Sequence, residues 1–310
     1  MIIHEGYENL EFSFPIVTIG VFDGVHKGHR FLLDILVSNS RAQKGESVVI
    51  TFDTHPRLVL QSDNKELFFL STMEEKARLL KEAGIDHLVI IDFSEDFSNM
   101  EACDFVQKIL IERIRTRHLI VGYDHHFGRS GKGNYEMIKK CARSSDLVVE
   151  QVRGLESSNM IVSSTAIRKA LLTGMLDEAN NMLGYSYSLS GSIVEGKKIG
   201  RSIGFPTANI KPDHDYKLIP GDGVYAVMVN IEGTILPGML SIGNNPTIKQ
   251  GNNRTIEVHI INFDKDIYDK NIMVTFKKWL RSEIRFENLE QLALQMNTDR
   301  EQTLKLLGLI

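Results

Sequence analysis

Cysteine is nearly absent from this chain. Cys103 and Cys141 lie far apart with no C-x-x-C pair, which argues against a zinc cluster or a disulfide framework and is the usage expected of a reducing compartment. Long apolar runs are missing as well, none approaching the roughly 20 residues that cross a bilayer. The opening "MIIHEGYENLEF" places acids and a histidine where a signal peptide carries an apolar core. Neither a membrane association nor a processed leader is expected, and the cytoplasm is the expected location. Surplus charge is also lacking, because 36 Lys and Arg offset 40 Asp and Glu to leave a net −4. Such a balance provides no chain-wide field for nucleic acid or an acidic membrane, although a local anion site stays open. What remains is a globular composition, 42% hydrophobic and 25% charged over 310 residues, enough for two domains of about 100 to 200 residues each.

The pattern changes near "LGYSYSLSG", Leu183 to Gly191. Before it, "IVTIGV", "SVVITF", "HLVIID", "HLIVGY" and "LVVEQV" read as parallel strands buried on both faces. Amphipathic segments separate them. One runs from Arg30 to Lys44 and stops at Gly45; another, "STMEEKARLLKEAG", has Thr72 as N-cap, Glu75 closing a capping box and Gly84 as terminator. This alternation predicts a doubly wound α/β sheet. After it, five of the seven prolines and the short runs "VYAVMVNI", "TILPGML", "TIEVHII" and "NIMVTFKKWL" predict a compact antiparallel barrel or sandwich. Asn288 to Leu307 predicts a closing helix capped by Asn288.

Polar residues gather where an open parallel sheet holds its ligand. Asp23, His26 and His29 follow the first strand, "DTHP" the second and "GYDHHFG" the fourth, all near carboxyl ends. Histidines three apart place both rings on one side of a first helical turn, beside unpaired backbone N–H groups that attract phosphate. From there imidazoles can donate to an α-phosphate and a departing pyrophosphate, with Gly28 allowing close backbone approach. The plainer alternative is a pair of solvent-facing helix histidines. Zinc is disfavoured because Lys27 and Gly28 fill a three-residue spacing where a zincin needs four with a glutamate. "GRSGKG" is no P-loop, since His126 replaces its first glycine and Gly133 its Ser or Thr. Glycines at 20, 24 and 28 miss the dinucleotide spacing. In "SSTAIRKALLTG", the hydroxyls of Ser163, Ser164 and Thr165 can cap a helix, with Arg168 one turn later to meet phosphate; capping alone would explain them equally.

A second constellation lies in "GSIVEGKKIGRSIGFPTANI". Its glycine-rich turn carries Lys197, Lys198 and Arg201, and Thr207 and Asn209 then share one face of an extended chain. A hydroxyl and an amide oxygen are hard ligands suited to sharing Mg²⁺ with nucleotide phosphates, and turn N–H groups can cradle those phosphates. The alternative is a barrel loop with solvated lysines. In "TIEVHI", Glu257 faces away from Ile256 and Val258, where it can accept a proton from a substrate hydroxyl or simply face solvent.

In their order and context, H-x-G-H, "TFDTHP", "VGYDHHFG" and "SSTAIR", followed by the glycine-rich turn, "GVYAV", "SIGNNPT", "EVHIINF" and "WLRSEIRFENLEQL", resemble the bifunctional riboflavin kinase/FMN adenylyltransferase family over nearly the whole chain. The resemblance implies a Rossmann-like nucleotidylyltransferase domain at residues 1–184 and an antiparallel β-barrel riboflavin kinase domain with a terminal helix at 185–310. It implies phosphorylation of riboflavin by ATP to FMN, then adenylation of FMN to FAD and pyrophosphate. It gives an adenylyltransferase ATP site of Phe22, Asp23, Gly24, His26, His29, Asp124, Ser164, Thr165 and Arg168. It further gives a kinase ATP site of Gly196, Lys197, Gly200, Arg201, Thr207 and Asn209, the last two holding Mg²⁺, with Glu257 as the kinase base. Trp279 and Arg281 are implied flavin contacts, core burial of the tryptophan being the alternative. Riboflavin, FMN and ATP are the implied partners, with a homo-oligomer left open. The chain departs from the family pattern at Thr54, His125, Ala166 and Asn245.

Overall fold

In the computed structural model, the described residues are 1–53, 67–123, 133–153, 162–195, 200, 203–244 and 254–310. They form two compact units, Met1–Ser163 and Ser164–Ile310.

The first unit is built on six parallel strands: β1 (Ile2–Glu5), β2 (Pro15–Ile19), β3 (Glu46–Phe52), β4 (His87–Ile91), β5 (His118–Gly122) and β6 (Val148–Val152), in the order β1-β4-β3-β2-β5-β6. All five strands read from apolar runs are present. In β2 to β5 side chains are buried on both faces, Val17, Val48, Val89 and Leu119 on one and Ile16, Val49, Leu88 and Ile120 on the other, which removes the alternation a one-sided sheet would show; β6, at the edge, is buried only at Val152. Helices α1 (Lys27–Ala42), α2 (Met73–Glu82), α3 (Glu95–Ser98), α4 (Ala102–Asp104) and α5 (Tyr135–Cys141) connect them, with a π-helical stretch at Phe105–Arg113. The Thr72–Glu75 capping box forms as predicted. From β2 the chain proceeds outward on one side through β3 and β4, and later on the other through β5 and β6. The carboxyl end of β2 is therefore the switch point, where such sheets leave a crevice for a ligand.

Two expectations are corrected. Helix α1 starts at Lys27, three residues before the predicted Arg30, because the ring of His26 serves as its N-cap. The two cysteines, read as argument against a disulfide, are joined to each other with Cα atoms 5.2 Å apart. Thirty-eight positions separate them along the chain, but α4 and the end of α5 lie side by side in the fold, a proximity no local spacing encodes.

The second unit is a closed antiparallel barrel in the order β10-β11-β8-β7-β12-β9. Its strands are β7 (Ser188–Val194), β8 (Ala208–Pro212), β9 (Gly223–Ile231), β10 (Thr234–Asn244), β11 (Arg254–Ile260) and β12 (Asn271–Arg281). Fully buried Leu189, Tyr225, Val227, Leu240 and Phe276 fill its core. Two helices precede it, α6 (Ser164–Leu172) and α7 (Leu176–Leu183), and α8 (Leu289–Leu306) closes the chain with Asn288 accepting from the Gln291 N–H. Leu171 O accepts from Gly221 N at 2.9 Å and Asp177 pairs with Lys278 at 2.8 Å, so α6 and α7 are tied to this unit.

Arg281 on β12 fixes α8. Its guanidinium forks onto Asp299, with Nη2 to Oδ2 at 2.7 Å and Nε to Oδ1 at 3.0 Å, while Gln295 adds a bond to Oδ1 at 2.9 Å. The Asp299 side chain is 3% exposed and that of Arg281 is 19%. Asp299→Ala strands a largely desolvated guanidinium, and the expected loss is about 3 kcal/mol, the lower end for breaking a buried pair because Arg281 keeps some solvent. Thermal denaturation of the variant would show it; an unchanged melting temperature would contradict this reading.

Candidate functional site

In the first unit the segment after β2 makes a tight turn. Gly24 sits at φ +77°, a left-handed conformation that costs glycine nothing. Asp23 Oδ1 accepts from Leu70 N at 2.9 Å and Ser71 N at 3.2 Å, and Ser71 Oγ accepts from Gly24 N at 3.0 Å. Three bonds thus fasten the turn to the entrance of α2.

The predicted histidine pair is brought together more closely than helical spacing requires. His26 Nδ1 accepts from His29 N at 3.3 Å, so a neutral His26 ring carries its proton on Nε2. The two rings stack with centroids 3.6 Å apart, and Phe22 meets His29 edge-on at 5.2 Å. Gly28 serves this packing: a Cβ there would lie 3.3 Å from the His26 ring. Burial above all, then the neighbouring His26 and Lys76, push the pKa of His29 well below its ordinary value. His29 Nδ1 is buried without a hydrogen-bond partner among the described residues. Stacked imidazoles with an orphaned nitrogen on His29, at the first turn of a helix and the switch point of a parallel sheet, form a site suited to a phosphate ester. Asp124 lies outside the described residues, as do Thr54 and His125.

Lys76 belongs to this surrounding and was not singled out from the sequence. It is 6% exposed, its Nζ donates to Thr51 Oγ1 at 3.3 Å, and that hydroxyl donates to Val21 O at 3.2 Å. Burial lowers the ammonium pKa to about 8, against the opposing pull of Asp23. Spacing carried a usable signal: Lys76, Leu79 and Leu80 form the buried face of α2, and a lysine on an apolar face is out of place.

Ser164 and Thr165 open α6 and Arg168 follows one turn later, within the second unit. In the barrel, strand register sets Glu257 on β11 opposite Asn209 on β8 and Ser241 on β10. Thr207 Oγ1 donates to Glu257 Oε2 at 3.3 Å. A hydroxyl, an amide and a half-buried carboxylate therefore share one face, while Ile256 and Val258 point into the core.

His259, two residues on and also unpredicted, donates from Nδ1 to Pro206 O at 2.9 Å and meets Phe205 edge-on at 5.1 Å. It pins the peptide that precedes Thr207. Gly200 is required by contact: Phe205 N donates to its carbonyl at 2.8 Å, and a Cβ on Gly200 would lie 2.1 Å from Phe205 O. Gly196, Lys197 and Arg201 lie outside the described residues, as does Asn245. Trp279 is 40% exposed rather than part of the core, with its indole against Gly174 and Gly223. Arg281 beside it is committed to Asp299. Oxygen donors at Thr207 and Asn209 fit a hard cation that takes most of its remaining ligands from phosphate.

Comparison with known proteins matches both units. Residues 11–166 match the family described as FAD synthetase, and residues 183–307 the family described as riboflavin kinase. A bifunctional riboflavin kinase/FMN adenylyltransferase from Listeria monocytogenes is 36% identical over 93% of this chain and 91% of its own length. One from Escherichia coli is 34% identical over 95% and 93%. A crystal structure described as a macrolide-efflux protein from Streptococcus pneumoniae aligns with TM-score 0.89 and 32% identity, covering 98% of this chain and 99% of that one. Among the described residues no helix is long and apolar enough to cross a membrane.

Proposed function

Because the chain belongs to the bifunctional riboflavin kinase/FMN adenylyltransferase family, we propose that its two chemical steps fall to the stacked histidines of the parallel sheet and the carboxylate of the barrel face. The chain phosphorylates riboflavin with ATP to FMN, and adenylates FMN with ATP to FAD and pyrophosphate. We assign adenylyl transfer to residues 1–184 and the kinase to 185–310. To the phosphates of the first activity we assign Phe22, Asp23, Gly24 and Asp124, and also Ser164, Thr165 and Arg168 of α6.

In the kinase step, Glu257 takes the proton of the riboflavin terminal hydroxyl as that oxygen attacks the γ-phosphorus of ATP and the bond to ADP breaks. Its contact with Thr207 at 3.3 Å carries this reading. Thr207 and Asn209 would hold Mg²⁺, which when bound neutralises charge on the transferred phosphoryl group. Gly196, Lys197, Gly200 and Arg201 line the ATP phosphates, and Trp279, with Arg281 beside it, meets the isoalloxazine.

In the adenylyl step, a phosphate oxygen of FMN attacks the α-phosphorus of a second ATP and pyrophosphate departs. His26 and His29 donate hydrogen bonds to the oxygens on which charge builds. ATP as co-substrate favours a cytoplasmic address.

The test is a time course with riboflavin, ATP and Mg²⁺, with flavins separated by chromatography. FMN should rise first and FAD follow. FMN accumulating alone under excess ATP would remove the histidine assignment, and FAD formed only from supplied FMN would remove the Glu257 assignment.

A further inference from the structure

We propose that Lys76 is a phosphate-binding residue of the adenylyl-transfer site, its ammonium meeting an oxygen of the ATP polyphosphate or of the FMN phosphate at the carboxyl edge of the parallel sheet. This rests on the reading of the His26–His29 turn as that site. An ammonium carries three donors, and Lys76, 6% exposed, spends one on the neutral hydroxyl of Thr51. No carboxylate among the described residues forms an ion pair with it; Asp23 acts on it only through space. Burying a charge without a paired partner is among the most costly things a fold can do. A methionine or leucine would fill the same face of α2 beside Leu79 and Leu80 with no such cost. The charge is therefore retained for something that arrives, and a phosphate oxygen matches both its sign and its unused donors.

Position supports the same conclusion. Lys76 reaches the last turn of β3 at Thr51, and Thr51 bonds to Val21, the residue before the Phe22–Asp23–Gly24 turn. The three bonds from Asp23 and Ser71 lock the start of α2 onto that turn. Asp23 from the turn acts on Lys76, raising its pKa against the effect of burial, and Lys76 in turn lowers the pKa of His29 on α1. Residues 54–66, which follow β3, lie outside the described residues. An arriving phosphate favours the charged amine, so binding above the amine's free pKa takes up a proton.

The experiment uses the full chain. KM for ATP at saturating FMN and KM for FMN at saturating ATP are measured for the parent, Lys76→Met and Lys76→Arg, with riboflavin phosphorylation by the same samples as the control for folding. Lys76→Met should raise one KM tenfold or more while riboflavin phosphorylation is unchanged, and the KM that moves names the phosphate. In the parent, kcat/KM for that substrate should fall as pH rises through about 8, and Lys76→Arg, which stays charged, should lose that fall. Both KM values within twofold of the parent, or a loss confined to kcat, would overturn the proposal and leave Lys76 a structural counter-ion to Asp23. Should Lys76→Met fail to fold, an alkaline fall unchanged in Lys76→Arg would overturn it equally. If His29→Ala also leaves FAD formation intact, the site reading falls first; if His29→Ala abolishes it and Lys76→Met does nothing, only the Lys76 proposal falls.

Discussion

Glu257→Gln is expected to stop FMN formation from riboflavin, by about 10²- to 10⁴-fold, while FAD formation from supplied FMN continues at the parent rate. The substitution is close to isosteric, and its site tolerates it. Glu257 lies mid-strand, in register between Asn209 and Ser241, and a glutamine oxygen can still accept from the Thr207 hydroxyl that now reaches the carboxylate at 3.3 Å. The amide differs in one respect that matters: it cannot take a proton from an attacking hydroxyl. A folded variant losing only the kinase step thus isolates base catalysis from the barrel's architecture. Retained phosphorylation would remove Glu257 from the chemistry, and parallel loss of both activities would mean the two units do not act separately. Thermal denaturation of the same variant should match the parent.

Much of this architecture is legible in the sequence wherever local physics decides it. Strands β2 to β5 show themselves because both faces are buried, and α2 because Thr72 and Glu75 close their box in only one backbone geometry. Strand β1 is not legible: it is four residues long, and Ile2 and Ile3 are 58% and 51% exposed, so nothing in its pattern asks for burial. The start of α1 is missed for a chemical reason, since histidine is a rare N-cap and only the approach of its ring over Gly28 makes His26 one. Long-range pairings are hidden in principle. Cys103 finds Cys141, Arg281 finds Asp299 and His259 finds Pro206 because the completed fold brings them together. The resemblance supplied roles for Glu257, Thr207 and Asn209 that a strand reading alone left open against solvent exposure. It supplied none for Lys76, for which the signal was its place beside Leu79 and Leu80 in the apolar spacing of α2.

His29→Ala should lower FAD formation from FMN by about 10²- to 10³-fold, the usual consequence of removing a donor aimed at developing charge, and leave riboflavin phosphorylation untouched. The ring is held from two sides, stacked on His26 at 3.6 Å and edged by Phe22 at 5.2 Å. Alanine removes the orphaned Nδ1 but leaves the His29 backbone N–H that His26 accepts, so α1 keeps its cap. Burial, His26 and Lys76 together hold the His29 pKa well below 6.5, which makes the imidazole neutral through the neutral pH range. Unfolding restores the ordinary pKa and lets the ring bind a proton, so His29 contributes no pH dependence above about 6.5 and progressively destabilises the folded chain as pH falls below it. Acid denaturation of His29→Ala should accordingly begin at lower pH than in the parent, while its FAD synthesis at neutral pH is already lost. A variant that kept FAD synthesis would take His29 out of the reaction, and one whose acid sensitivity matched the parent's would show that the ring is not held neutral by its surroundings.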